Sequence, residues 1–412
     1  MSPASRDNAQ RRVIVLGSTG SIGVNTLAVI DHLNRTAGAG FEVVDLAAGA
    51  NEKLLCQQAM QHGVGHVALQ RGTWTGNACG VVCHTGDDAA LRLVEETESD
   101  LVVAAIVGTA GLRPTLRAIE LGRDIALANK ETLVAAGDVV MPAAQRHGVK
   151  LLPVDSEHAA IWQCLQSHGQ RNAPNRLVVP GVHTDDVRRI VLTASGGAFR
   201  DTDAKTAYHA TAEQALKHPT WDMGPKVTID SATMMNKALE LLEAHFLFGV
   251  PAEKLTALIH PQSVVHGLVE FADHSVLAQL APPDMRTPIQ AALAWPDRSA
   301  GCSRMLDWTK LSRLDFAPPQ AEKYPAIPLA YRVMQAGGTS GALFNAANEA
   351  AVDAFLNRRV PFGRIVELVT EALDALPAGP ADSLDAVLDA DARARRFVED
   401  RLATEPMTPT PV

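Results

Sequence analysis

The chain has 412 residues, of which 47 % are apolar and 20 % charged, with a net charge of −9. That balance gives a globular chain with a full core and room for two to three domains. The acidic charge and only 4 % aromatic residues exclude a nucleic-acid surface as its main business.

No apolar run approaches the ~20 residues of a bilayer span, and residues 1–12 lack the apolar stretch of a leader. The five cysteines, Cys56, Cys79, Cys83, Cys164 and Cys302, are dispersed and odd in number. They fit a reducing compartment better than a disulfide framework. These features predict a cytoplasmic protein with no membrane segment.

In chain order, residues 12–16 are a continuous apolar, β-branched run, the mark of a strand buried on both faces of a parallel sheet. Gly17-Ser18-Thr19-Gly20-Ser21-Ile22-Gly23 follows, then an apolar-periodic helix over 24–33. Strand, glycine turn and helix in that order predict a dinucleotide-binding unit, with the amides of Gly20, Ser21 and Ile22 facing a pyrophosphate. A second strand over 41–47 ends in Ala48-Gly49-Ala50-Asn51, with no acid at its tip. A carboxylate there would select NAD, so its absence favours NADP. Arg71 and Lys53 are either partners for the extra phosphate or solvated surface charges. Further strands are expected over 101–107 and 124–128, with helices over 112–121 and 133–147. Asn129, Lys130, Glu131 and Thr132 stand at the carboxyl end of a strand, where ligands bind in such sheets. Asn129 and Thr132 equally suit the cap of the next helix.

Residues 151–154 read as a short strand leading into Asp155-Ser156-Glu157-His158. On an extended segment, Asp155 and Glu157 would share a face and could converge on one hard cation. The same residues suit a helix N-terminus, with Asp155 or Ser156 as the cap. A helix over 159–167 and a strand over 189–193 come next. That strand runs into Ser195-Gly196-Gly197, either a second anion-binding turn or an ordinary one. The stretch His218 to Lys226 carries Trp221 and Met223 between Pro and Gly, as a flap over a site does. Residues 227–230 are expected as a strand and 231–248 as one amphipathic helix. On that helix Asn236, Lys237 and Glu240 share a flank. Lys237 and Glu240 could be no more than a surface pair, yet Glu240 would supply the third carboxylate of a metal site. Strands over 257–259, 264–271 and 275–280 predict a mixed sheet that could carry a dimer interface, with His260 and His266 read as structural. Residues 304–319 read as an irregular linker, 324–403 as helices, and 405–412 as a disordered tail.

These motifs, in this order, resemble the 1-deoxy-D-xylulose 5-phosphate reductoisomerase family. The resemblance rests on residues 17–23, Asn129-Lys130-Glu131, Asp155-Ser156-Glu157-His158, Ser195-Gly196-Gly197, His218-Pro219-Thr220-Trp221, residues 223–226, residues 231–237 and His260-Pro261-Gln262-Ser263. It runs over about residues 12–402.

The resemblance implies an α/β protein in three parts. A Rossmann-like NADPH-binding domain would take residues 1–154. A catalytic α+β domain with a mixed sheet would take 155–298, with its flap at about 201–226. A linker over 299–322 would join it to a helical domain over 323–403. The implied reaction is a metal-dependent rearrangement of 1-deoxy-D-xylulose 5-phosphate to a branched aldehyde, followed by hydride transfer from NADPH. Asp155, Glu157 and Glu240 would bind one Mg²⁺ or Mn²⁺. Ser195, His218, Ser231, Asn236 and Lys237 would hold the substrate phosphate, and Lys130 and Ser156 would contact the substrate near the metal. Trp221 would close over it. Thr19, Gly20, Ser21, Ile22, Gly49, Ala50, Asn51, Asn129, Glu131 and Gly224 would line the NADPH site, and the protein would be a homodimer. Ala50 departs from family members that carry a basic residue there, which weakens the expected NADP preference. A simple dehydrogenase of a phosphorylated semialdehyde, and a non-catalytic NADP sensor, are the competing readings.

Overall fold

The computed structural model describes residues 10–76, 80–168, 179–180 and 184–404. The tail read as disordered therefore lies outside the described residues from 405 onward. In chain order the elements are β1 (Arg11–Leu16), α1 (Ser21–Ala37), β2 (Phe41–Ala48), α2 (Glu52–His62), β3 (His66–Leu69), β4 (Val82–Thr85), α3 (Ala89–Glu96), β5 (Leu101–Ala104), α4 (Leu112–Glu120), β6 (Asp124–Leu127), α5 (Glu131–His147), β7 (Leu151–Pro153) and α6 (Ser156–His168). They continue as β8 (Val187–Ala194), α7 (Ala204–Tyr208), α8 (Ala212–Ala215), α9 (Pro225–Thr233), α10 (Met235–Phe248), β9 (Leu255–Ile259), β10 (Val265–Phe271), β11 (Val276–Leu280) and α11 (Arg286–Ala294). The last four are α12 (Ala326–Ala336), α13 (Ser340–Leu356), α14 (Arg364–Ala375) and α15 (Leu384–Thr404).

The chain divides into two compact units. The first takes the described residues through Asn129, with Ala143–Ala159 and Asp284–Arg304. Its strands form a parallel sheet in the order β4-β3-β2-β1-β5-β6-β7. Val13, Ile14, Val15 and Leu16 are fully buried, as a strand covered on both faces requires. The chain order reverses at β1, between β2 and β5. This puts the loops after those strands at the crevice where open α/β sheets bind ligands. Helix α11 belongs to this unit by its contacts with α1, β6 and β7.

The second unit takes Lys130–Pro142, Ala160–Pro283 and the described residues from Met305 onward. Its sheet has the order β11-β10-β8-β9. β8 and β9 run parallel while β10 is antiparallel to both β8 and β11, so the sheet is mixed, as read from the sequence. Helix α13 is its most buried helix, flanked by α12, α14 and α15.

Four expectations are corrected. Residues 227–230 are not a strand but part of α9, which Gly224 and Pro225 start. Four β-branched or acidic residues carry no helical period of their own, while a proline at the first turn fits a helix start. Residues 231–248 are not one helix, because Met234 takes a left-handed conformation (φ 61°) between α9 and α10. Residues 155–157 are not extended, since α6 begins at Ser156. The cysteines are not all thiols: Cys83, Cys164 and Cys302 are thiols, but Cys56 is disulfide-bonded. Sequence spacing says nothing about pairs that only the fold brings together. Among the described residues no helix is long and apolar enough to cross a membrane.

The glycine turn after β1 is tightly built. Gly17 has φ +86°, and a Cβ on Gly23 would lie 2.4 Å from the Gly17 carbonyl oxygen and 2.4 Å from the Ser18 Cα. Gly23→Ala is expected to destabilise the protein by about 1–3 kcal/mol, the usual range for overpacking. Urea unfolding measures this, and an unchanged midpoint would show that the turn can move aside.

Candidate active site

The second unit gathers a set of anion-binding groups. Strand β8 ends at Ala194 and delivers Ser195 into the turn Gly196-Gly197, whose φ values are +86° and +67°. A Cβ on Gly197 would lie 2.4 Å from the Ser231 carbonyl oxygen, so only glycine lets this turn approach the end of α9. The approach brings two hydroxyls to one imidazole. His218 Nε2 lies 2.9 Å from Ser195 Oγ and 3.1 Å from Ser231 Oγ. On the other side of the ring, Nδ1 accepts from the backbone N–H groups of Thr220 (3.1 Å) and Trp221 (2.8 Å). Two donors at Nδ1 leave the proton on Nε2, where it points at the serine hydroxyls. Burial also pushes the His218 pKa below its ordinary value. The group is therefore a neutral Nε2–H donor. Trp221 is tied to this ring by its own amide.

The left-handed Met234 turns the chain sharply between Ser231 on α9 and Asn236, Lys237 and Glu240 on α10. Met234 is buried, and a non-glycine residue in this conformation costs on the order of 1–3 kcal/mol, which the packing around it must offset. Glu240 is 1 % exposed. One of its oxygens accepts from Lys130 Nζ at 2.9 Å and from the Asn236 amide, and the other accepts from Lys237 Nζ. Lys130 Nζ also donates to Asn236 Oδ1 at 2.8 Å. Lys237 and Glu240 are thus no surface pair but a buried one, with side chains 3 % and 1 % exposed.

A second charge network was not legible in the sequence. Lys226, in the first turn of α9, donates to Glu131 Oε1 at 2.8 Å and lies 2.9 Å from Asp230 Oδ2. Asp230 Oδ1 accepts from the Asn348 amide at 2.9 Å, in the middle of α13. Burial opposes the charge on Lys226, but Asp230, Glu131 and Glu349 outweigh it and raise its pKa. Burial likewise opposes ionisation of Glu131, and Lys226 outweighs it and lowers that pKa. Lys226 and Asp230 stand four residues apart, the one available signal, but a strand over 227–230 would have separated them. Glu131, assigned to the cofactor by resemblance, is placed with its carboxylate on Lys226.

In the first unit, Asp155 caps α6. Its carbonyl accepts from the Ala159 amide at 2.9 Å and its Oδ1 from the Glu157 amide at 3.2 Å. The helix-start reading is therefore the local structure, and it leaves carboxylate oxygens of Asp155 and Glu157 in a half-buried turn. Ser156 Oγ donates to Glu157 Oε2 at 2.5 Å, and His158 Nδ1 lies 3.3 Å from Asp155 Oδ1. Thr19, Gly20, Ser21 and Ile22 form the turn into α1, whose N-terminus has no side-chain cap. Uncapped first-turn amides suit an anion. Gly49, Ala50 and Asn51 lie between β2 and α2, and Asn51 Oδ1 caps α2 by accepting from the Leu54 amide at 3.2 Å. The Asn129 amide donates to the Gly108 carbonyl at 2.9 Å and to the Ile106 carbonyl, fixing the loop after β5. Gly224, the N-cap of α9, is exposed.

The comparisons with known proteins follow the same outline. Residues 13–137 match the 1-deoxy-D-xylulose 5-phosphate reductoisomerase model, residues 151–248 the model of its C-terminal domain, and residues 280–397 the DXP reductoisomerase C-terminal domain. The chain belongs to the 1-deoxy-D-xylulose 5-phosphate reductoisomerase family. The Pelodictyon phaeoclathratiforme reductoisomerase is 45 % identical over 400 residues, covering 95 % of this chain and 100 % of the relative. That of Mycobacterium avium is 46 % identical over 398 residues, 94 % and 93 % of the two chains. Among solved structures, the Zymomonas mobilis reductoisomerase in complex with NADPH is similar at TM-score 0.84 and 41 % identity, covering 96 % and 100 %. A reductoisomerase in complex with NADPH, fosmidomycin and magnesium is similar at TM-score 0.87 and 37 % identity, covering 95 % and 98 %.

The neutral state of His218 has a pH signature. A group whose folded pKa is lowered contributes stability that is present above its unfolded value, 6.5, and is lost as pH falls through the folded value. The stability gap between the protein and His218→Asn is therefore expected to shrink on acidification from about pH 7.5 to about pH 5.5. Urea midpoints of the two proteins measure it, and a gap that widens in acid would contradict the neutral assignment.

Proposed function

We propose that this chain catalyses the NADPH- and divalent-metal-dependent conversion of 1-deoxy-D-xylulose 5-phosphate to 2-C-methyl-D-erythritol 4-phosphate, a step toward isoprenoid precursors. The observation that carries the reading is the junction of α9 and α10. An anion cradle of Ser195, His218 and Ser231 ends on one side of it, and the buried carboxylate of Glu240 stands on the other. A phosphorylated substrate that must also meet a hard cation needs both.

In this reading the phosphate is held by Ser195, His218, Ser231, Asn236 and Lys237. The neutral His218 Nε2–H and the two hydroxyls turn from each other to the phosphate oxygens. Asp155, Glu157 and Glu240 supply the metal ligands. Their donor set is all carboxylate, which suits Mg²⁺ or Mn²⁺. When bound, the metal polarises the substrate carbonyl and its neighbouring hydroxyl, and NADPH supplies hydride. Lys130 and Ser156 orient the substrate backbone beside these groups, and Lys130 holds a positive charge against Glu240 throughout. Trp221 closes over the site and excludes water. Thr19, Gly20, Ser21 and Ile22 take the pyrophosphate of NADPH, with Gly49, Ala50, Asn51, Asn129, Glu131 and Gly224 along the rest of the dinucleotide. The functional division keeps residues 1–154 for the cofactor, 155–298 for the chemistry and 323–403 for the helical domain. A cytoplasmic location goes with this reading, because NADPH is made there.

The test is NADPH oxidation with the sugar phosphate. Turnover is expected to stop in EDTA, return with Mn²⁺, and fall with NADH. Glu240→Gln is expected to lose at least two orders of magnitude in kcat while still binding NADPH. Turnover that persists in EDTA would point instead to a simple dehydrogenase, and an active Glu240→Gln would take Glu240 out of the metal set.

A homodimer is also part of the reading. β11 is an outer strand of the mixed sheet, paired with β10 alone, and Val276 and Leu277 on it are 53 % and 38 % exposed. An apolar edge strand of this kind is normally covered. Sedimentation is expected to show a dimer at micromolar concentration and a monomer for Val276→Lys combined with Leu277→Lys. A native monomer would overturn the dimer.

A further inference from the structure

The tip of β2 offers the dinucleotide neither an acid nor a base, since Ala48-Gly49-Ala50 runs straight into Asn51. A missing acid removes repulsion of a 2′-phosphate, but it adds no attraction. The other nearby polar groups are engaged. Asn51 Oδ1 caps α2, and Glu52 Oε1 accepts from the Thr75 amide at 2.5 Å and the Thr75 hydroxyl at 2.7 Å.

The neighbouring strand supplies what the tip lacks. β2 and β3 pair in parallel with Ala48 opposite Leu69. The ladder continues past them: the Gln70 N–H donates to the Ala48 carbonyl at 3.0 Å and the Arg71 N–H to the Gly49 carbonyl at 2.7 Å. Counting on from Ala48 and Leu69, Arg71 stands across from Ala50, one strand spacing of about 5 Å away. Arg71 is exposed, and among the described residues no hydrogen bond or ion pair engages its guanidinium. A guanidinium at this place matches the two-pronged geometry of a phosphate.

We propose that Arg71 is the specificity residue for the 2′-phosphate of NADPH, acting from the loop after β3 across the uncharged position at Ala50. The assignment rests on the NADPH-dependent reading above and deepens it. Binding to the metal-free protein tests it without turnover, by titrating NADPH and NADH and following nicotinamide fluorescence. Arg71→Ala is expected to weaken NADPH at least tenfold and NADH less than twofold, with Arg71→Lys in between. Adding Ala50→Arg to Arg71→Ala is expected to restore NADPH binding, because it returns a guanidinium from the opposite strand. Lys53→Ala is expected to leave the preference unchanged. Equal losses for both dinucleotides, an unchanged preference in Arg71→Ala, or a larger loss of preference in Lys53→Ala would each overturn the role of Arg71. A native protein that binds neither dinucleotide would overturn the cofactor reading itself, a different outcome from any of these.

Discussion

Glu240 is a carboxylate buried to 1 % exposure, and a carboxylate in that position must be paired. Lys130, Lys237 and Asn236 all converge on it. Removing one partner of a buried ion pair costs about 3–5 kcal/mol, because the remaining charge is stranded away from water. That cost ties two distant stretches together, the start of α5 and the first turn of α10, which the left-handed Met234 lets begin where it does. Both oxygens of Glu240 are thereby held in fixed positions by these donors.

The stretch His218 to Lys226 is held at both ends. At one end His218 Nδ1 takes the amides of Thr220 and Trp221, so the ring that faces the two serines also holds the turn that follows it. At the other end Lys226 sits between Glu131 and Asp230, and Asp230 is braced by Asn348 from α13. Lys130 and Glu131 are adjacent residues, one committed to α10 and the other to α9. The turn at the start of α5 is thereby joined to both α9 and α10. Helix α13 contributes through the buried Asn348, which donates to Asp230, and through the charge of Glu349 beside Lys226.

The first unit works by a different economy of backbone rather than side-chain charge. Gly17 and Gly23 let a strand, a turn and a helix pack closely enough to expose the first amides of α1. The tip of β2 carries no charged side chain, and the parallel register brings Arg71 across from Ala50.

The sequence by itself determined the parallel sheet, the mixed sheet, the glycine turn and the identity of most chemical groups. Buried strands and nucleotide turns leave local patterns: unbroken apolar runs, and glycines at fixed offsets. It left open whether Asp155 and Glu157 lie on an extended segment or at a helix start, and the fold decided for the helix start. What only the tertiary structure decided were the relations between stretches far apart in the chain. The strand expected over 227–230 became a helix because a short β-branched run has no period strong enough to resist a proline start and the packing of α13 on α9. The break at Met234 left no local signal, since methionine has no preference for left-handed backbone. The burial of Lys237 with Glu240, the tautomer of His218, the Lys226 network and the position of Arg71 across from Ala50 all depend on contacts or register between segments that a linear chain does not encode at fixed spacing.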